Sequence, residues 1–418
     1  MALRHEGDRG KTGQAAAPGR RQLLTGAAAG LAIGAGAMAA GAVAAPTQAL
    51  AAGSGITTIT PSGDTTGATD AAAINGALSG GQAVQLVTGT YYVNASIELP
   101  NYGVLLGVAR PAITKQADTV ILATTALHAV VCSAGWLENE SYITGGMIAD
   151  LQVNGNNLAS NGIVLQAFDS QIYRVGVENV LYNGIVYTVE TQNGTINIPA
   201  GSNFSNNRIE SCSLNNCGQW GIATVEDRSA LGGPVYTDGF ILNSIIAGTG
   251  LAGISIQECG DWDIQGNHLY GNKGHGMQLG VMWYARVINN YIESWGQGTV
   301  ASVYRAIDGY SSPPYGGPGS VIMGNVMSFT HAPGTTGTGI EGINLACPAN
   351  ETNRWTVIGN VLEFSVSSGF TTSNGLVWTN LASTATTLGV STGNTIYGFQ
   401  SDVTKVTDGG TITITAGV

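Results

Sequence analysis

Short apolar runs separated by polar breaks recur along the chain, and two phrases carry the recurrence. The first places an apolar residue two positions after an Asn: Ile241-Leu242-Asn243-Ser244-Ile245, Gln265-Gly266-Asn267-His268-Leu269 and Ile288-Asn289-Asn290-Tyr291-Ile292, with Asn spacings of 24 and 23. It extends upstream to Asn179 and Asn207 and downstream to Asn325 and Asn360, at spacings of 28, 36, 35 and 35. The second phrase is a Gly that opens an alternating apolar run, as in Gly162-Ile163-Val164-Leu165, Gly184-Ile185-Val186, Gly221-Ile222, Gly253-Ile254-Ser255-Ile256, Gly276-Met277-Gln278-Leu279 and Gly342-Ile343-Asn344-Leu345. Period-two strands at a repeat of some tens of residues predict an all-β, parallel β-solenoid in which each repeat is one coil. A single coil cannot bury its apolar face, so stacking makes the core. The repeated Asn are expected to stack at one bend, their amides bonded from coil to coil.

Outside the repeats, the N-terminus reads as an address. Gly19-Arg20-Arg21-Gln22-Leu23-Leu24 is a twin-arginine sequence, an Ala/Gly run follows to Ala45, and Ala49-Leu50-Ala51 fits cleavage after small residues. Residues 1–51 are therefore expected to be a Tat-type signal that sends the folded protein out of the cell. No later stretch reaches the ~18 apolar residues that span a bilayer. The mature chain, 52–418, reads as one solenoid domain: an N-terminal cap over 52–110, coils over 111–383 and a C-terminal cap over 384–418. In the first cap, Asp70 is expected to N-cap a short helix through Ala71-Ala72-Ala73-Ile74, ahead of strands at Ala83–Val87 and Tyr91–Val93.

Charge narrows the partners. The chain carries −11 formally; residues 1–51 hold five Lys and Arg and two Asp and Glu, which leaves 10 against 24, about −14, on the mature protein. Such a surface repels polyanions unless cations intervene, which argues against nucleic acid and favours a neutral polysaccharide. A uronate polymer would need bound calcium and a local basic patch. Five Cys leave two readings: a Cys212–Cys217 disulfide, or buried thiols inside the coils.

Gly63-Asp64, Thr69-Asp70-Ala71-Ala72-Ala73-Ile74, Gly89-Thr90-Tyr91 and Val104-Leu105-Leu106-Gly107 together resemble the N-terminal signature of the pectate-lyase-like superfamily. The resemblance implies a right-handed parallel β-helix. It leaves the activity open among polysaccharide lyases, polygalacturonases, fructan-cleaving transferases, epimerases and tailspikes. Gly274-His275-Gly276 and Thr237-Asp238-Gly239 resemble polygalacturonase segments, although Leu251-Ala252 stands where that family has paired Asp. The spacing of Asp238 to Leu269 and His275 to Ser294 resembles the central coils of inulin fructotransferases, with Trp220 where those enzymes have an acid.

Coil register supplies a catalytic pair of its own. Glu226 lies five residues after Gly221 and Glu258 five after Gly253, so they are expected at equivalent places on neighbouring coils, about 4.8 Å apart. That approaches the roughly 5–5.5 Å of a retaining glycosidase, and like charges so close split their pKa values into an acid and a base. Asp227, Asp261 and Asp308 are further catalytic candidates. Trp262, Trp283, Trp295, Tyr304 and Tyr310 are candidate sugar platforms, with His275, Arg286 and Arg305 as polar contacts. No cofactor is expected, with calcium on Glu258, Asp261 and Asp263 as a competing role. The expected activity is glycosidic-bond cleavage in a neutral extracellular polysaccharide. Alternatives are a calcium-dependent lyase with Arg228, Arg286 or Arg305 as base, a non-catalytic glycan binder, and small-molecule chemistry in a closed pocket. A homotrimer is compatible with the solenoid shape.

Overall fold

Strands only three to five residues long cannot hold a sheet alone, but many of them stacked in register can. In the computed structural model of the protein this stacking is complete. The structure describes residues 55–108, 118–138, 142–196, 204–225, 236–298, 303–310, 319–330, 338–348, 352–365, 370–407 and 411–416. Residues 1–51, read from the sequence as an export signal, lie outside the described residues. Among them, three long parallel sheets run the length of the chain, with 13 strands in sheet A and 11 each in sheets B and C. Each coil visits A, then B, then C, as in Asp263–Gln265, His268–Tyr270 and His275–Leu279. Every strand pairs with its counterparts one coil away, as in Ile241↔Ile264↔Val287 on A and Ile246↔Leu269↔Ile292 on B. This is a right-handed parallel β-helix.

The core is a set of apolar columns, one or more per sheet. Ile209, Ile241, Ile264, Val287, Ile322 and Val357 stack inside sheet A, and all are fully buried. A run of rings, Trp295, Phe329, Phe364 and Phe399, crosses the coils with centroids 5.1–5.6 Å apart.

The corners explain the Asn phrase and also correct it. At the A-to-B corner Asn267, Asn290, Asn325, Asn360 and Asn394 form one ladder. The Asn290 side-chain oxygen accepts from the Asn267 backbone and side-chain N–H, both at 3.0 Å, and its amide donates to Ile264 O and to Asn325 Oδ1, both at 2.9 Å. Asn243 is not a rung. It holds the left-handed position just before the ladder (φ 51°), which Gly266, Asn289, Gly324 and Gly359 hold in other coils, and Ser244 takes the rung. Asn179 belongs to the B-to-C corner, where the Asn216 amide donates to its oxygen at 2.8 Å. Asn207 precedes a sheet A strand and donates to Ala167 O. Asn suits the left-handed region as well as the ladder, so one letter marks several kinds of corner.

One further expectation changes at the N-terminal end. The helix spans Ala68–Ser79 and is capped by Gly67 in the left-handed region, not by Asp70. Asp70 is 1% exposed within the helix and accepts the N–H groups of Ser62 and Tyr92. At the other end the stretch after Thr384 forms coil strands, with Thr386–Thr392 and Thr411–Ala416 both in sheet A. All five cysteines are buried thiols. Cys212, Cys217 and Cys259 lie in the main core.

Candidate active site

The outward face of sheet C changes character along the helix. One outward column runs Cys132, Val164, Val186, Ala223, Ser255, Gln278, Asp308, Asn344 and Val377. Its first four members are apolar; from Ser255 to Asn344 it is polar. The neighbouring column runs Trp220, Ala252 and His275, then Arg305 and Glu341; each precedes a Gly except Arg305, which precedes Ala306. In the strand Val303–Tyr310 Ala306 and Ile307 are both buried, so Arg305, Asp308 and Tyr310 all face outward.

Where the two polar columns meet, the side chains form one network. Arg305 Nε donates to Glu341 Oε2 at 2.6 Å and its Nη1 to Asp308 Oδ2 at 3.1 Å. The other Asp308 oxygen accepts from the Asn344 amide at 2.8 Å, and Asn344 in turn accepts from Thr379 Oγ1 at 3.0 Å. The Arg305 backbone N–H donates to His275 Nδ1 at 3.1 Å. This fixes the neutral imidazole with its proton on Nε2, a donor toward a ligand rather than a base. Burial pushes the His275 pKa down, Asp308 pulls it partly back up, and Arg305 lowers it again; the net direction is down. Burial also lowers the Arg305 pKa, but the charges of Asp308 and Glu341 outweigh it and the net direction is up. A guanidinium held charged by two carboxylates orients both of them and does not serve as a base.

The depressed His275 value gives a signed prediction. Between 6.5 and that lower value the unfolded chain binds a proton that the folded chain refuses. Stability from this group is therefore full above 6.5 and lost as pH falls below it. Melting temperature measured from pH 7 to pH 5 should fall further for the wild type than for His275→Gln. Parallel curves for the two proteins would contradict this.

Of the residues singled out from sequence, the network unites His275, Arg305 and Asp308, with Tyr310 beside them at 38% exposure. Glu226 and Asp227 lie outside the described residues, as does Arg228. The register expected for their coil holds, since Ile222 pairs with Ile254 and Ala223 with Ser255. Glu258, however, is 1% exposed just past its strand. Asp261 occupies a left-handed corner (φ 54°) one coil from Asp238 (φ 53°). Burial and then Asp238 raise its pKa, against Arg286. Arg286 faces out from sheet A and meets Asp263 at 3.5 Å, away from the sheet C network.

The aromatic expectations mostly fail for one reason: coil corners need large apolar fillers. Trp262 is 1% exposed and donates its indole N–H to Tyr236 O. Trp295 is fully buried edge-on to Phe329. Tyr304 is fully buried with its hydroxyl on Gly298 O. None of these three offers a face to a sugar. Trp283 is half-buried against exposed Tyr284. Among the described residues no three His, Cys, Asp or Glu side chains converge as metal ligands; Glu258, Asp261 and Asp263 had calcium ligation as a competing role.

Gln278, Glu341 and Asn344 were missed. Their signal was present, because Glu341 precedes Gly342 as His275 precedes Gly276.

No family model and no curated protein matches the chain. Solved structures similar to it include the A-module of mannuronan C-5 epimerase AlgE4 from Azotobacter vinelandii, at 16% identity, covering 84% of this chain and 96% of that one with a TM-score of 0.47. The alginate lyase of Paenibacillus sp. FPU-7 is similar at 13% identity over 84% and 99%, TM-score 0.42. The tailspike of Escherichia coli bacteriophage HK620, in complex with a hexasaccharide, is similar at 12% identity over 84% and 76%, TM-score 0.46.

Proposed function

We propose that the protein is an exported carbohydrate-active enzyme that cleaves glycosidic bonds of a neutral polysaccharide on the outward face of sheet C. One observation carries the reading: two carboxylates, Asp308 and Glu341, sit on separate nitrogens of a single guanidinium, within the polar stretch of that face. Glycosidic cleavage needs two such groups, one to protonate the leaving oxygen and one to attack or to activate water. Arg305 holds the pair in place, and His275 Nε2–H is a donor for a sugar hydroxyl. Tyr310, two residues after Asp308 on the same face, is the ring on which a sugar can stack. The net negative charge of the mature chain disfavours a polyanionic substrate.

The test is a screen of the mature protein on inulin, dextran, mixed-linkage glucan, polygalacturonate and alginate, reading reducing ends and unsaturated-uronate absorbance with and without chelator. New reducing ends or cyclic products on a neutral glycan, insensitive to chelator, support the reading. Unsaturated products from a uronate polymer would replace it with a lyase.

A further inference from the structure

Sheet B carries a patch of its own on its outward face. It lies on the same coils as the sheet C network, since His268–Tyr270 leads into His275–Leu279. Two outward columns build it. The first holds His268, Tyr291 and Val326, and the second Tyr270, Glu293, Ser328, Glu363 and Tyr397. The residues between them, Leu269, Ile292 and Leu362, point inward and are buried. The preceding positions of the two columns are Gly176, Ser213 and Ile245, and Glu178, Asn215 and Ala247, so the rings begin with His268 and Tyr270.

Inside the coils, rings fill corners. On this face they meet water: Tyr291 is 38% exposed and Tyr397 45%. The His268 ring stacks on Tyr291 with centroids 4.9 Å apart, and Tyr270 tilts against it at 5.0 Å. Glu293 holds two of these rings in place. Its Oε1 accepts from His268 Nε2 at 3.0 Å and its Oε2 from the Tyr291 hydroxyl at 2.9 Å. Glu363 repeats the arrangement, accepting from Ser328 Oγ at 3.3 Å and from the Tyr397 hydroxyl. Each carboxylate oxygen has two lone pairs, so both groups keep acceptor capacity for a ligand. No Lys or Arg stands in either column from Ile245 to Thr395 or from Ala247 to Tyr397. From Tyr270 to Tyr397 is four strand steps, roughly 19 Å.

These features select a ligand. Rings already held by hydrogen bonds cost a partner little ordering entropy. A sugar offers apolar C–H faces to a ring and hydroxyl donors to a carboxylate, whose charge strengthens each bond. Two carboxylates without a neighbouring Lys or Arg repel a uronate or phosphate chain. We infer that this strip is a second, non-catalytic binding surface for a neutral glycan chain lying along the helix axis. Tyr291 and Tyr397 supply the stacking faces, and Glu293 and Glu363 accept from sugar hydroxyls. The strip holds polymer on the coils that carry Asp308 and Glu341. The inference goes beyond the glycosidase reading and needs no cleavage.

The experiment is affinity electrophoresis of the mature protein in gels containing inulin, dextran or mixed-linkage glucan, with polygalacturonate as the control. Asp308→Asn serves as the parent, so that no polymer is consumed. Retardation by at least one neutral glycan, and none by polygalacturonate, is expected. Tyr291→Ala with Tyr397→Ala in that parent should weaken the affinity at least tenfold, and Glu293→Gln at least threefold. Unchanged affinity in these variants, or no retardation by any neutral glycan, would overturn the inference. If the double variant does not fold, Tyr397→Ala alone, at the more exposed ring, should cost at least threefold. Light scattering on the same preparations tests the rival occupant, a second copy of the chain. A parent oligomer that the double variant converts to monomer would make the strip a contact between copies. Cleavage in the polysaccharide screen with unchanged affinity here removes the strip and leaves the glycosidase reading. Tyrosine-dependent retardation without cleavage does the reverse.

Discussion

Asp308→Asn is expected to lower kcat by about 10³-fold, near the middle of the range for losing a general acid–base or nucleophilic carboxylate, while the protein stays folded. The amide is nearly isosteric, so the strand Val303–Tyr310 keeps its pairing with Thr338–Cys347. Arg305 keeps Glu341 at 2.6 Å. What changes is the chemistry at one atom pair. The Asp308 oxygens accept from Arg305 and from Asn344, and an Asn there must turn its NH2 toward one of those donors. The stability loss should be about 1–3 kcal/mol, the range for one buried polar mismatch. Turnover and urea denaturation on the same preparation check both halves. A variant with more than a tenth of wild-type kcat would remove Asp308 from the reaction.

Asn290→Ala carries the largest expected effect on stability. The side chain is 1% exposed and makes four hydrogen bonds, two as acceptor from Asn267 and two as donor to Ile264 O and Asn325 Oδ1. Truncation strands the Asn267 N–H groups and the Ile264 carbonyl in a dry corner, where each unsatisfied group costs about 1–3 kcal/mol. A net loss of about 3–5 kcal/mol follows, allowing for some relaxation. Because a solenoid is stabilised by nearest-neighbour interfaces, the loss should weaken the coils on either side of the deleted rung. Asn394→Ala, at the partly exposed end of the ladder, should cost less than half as much. Urea denaturation followed by circular dichroism tests the pair; equal losses, or less than 1 kcal/mol for Asn290→Ala, would contradict the ladder's role.

The solenoid was legible because its two causes are written locally: alternation within a strand, and a break of regular spacing between strands. Its corners were less so. Asn243, Asn267, Asn179 and Asn207 look alike in sequence, yet one sits in a left-handed turn, one is a ladder rung and two occupy other corners. Only the register of three sheets separates them, and register is a long-range property. The site shows the same divide. His275 stood out in its Gly-His-Gly phrase, Arg305 as a polar contact and Asp308 as a catalytic candidate. Their partner Glu341 lies 36 residues from Arg305 and becomes its neighbour only through stacking. Trp262, Trp295 and Tyr304 drew attention as sugar platforms, yet large rings are also what fills the wide corners of a coil, and that use prevailed. Glu258 sat at the expected offset, but offset alone does not tell whether a side chain faces water, and this one is buried.

The most direct measurement compares turnover of Asp308→Asn, Glu341→Gln and Glu258→Gln with the wild type on the cleaved glycan. The first two should lose at least 10²-fold in kcat, as removal of either member of a carboxylate pair requires, while Glu258→Gln stays within fivefold wherever it folds. Full activity in Asp308→Asn and Glu341→Gln, with loss confined to Glu258→Gln, would contradict it and move the chemistry to the corner beyond sheet C.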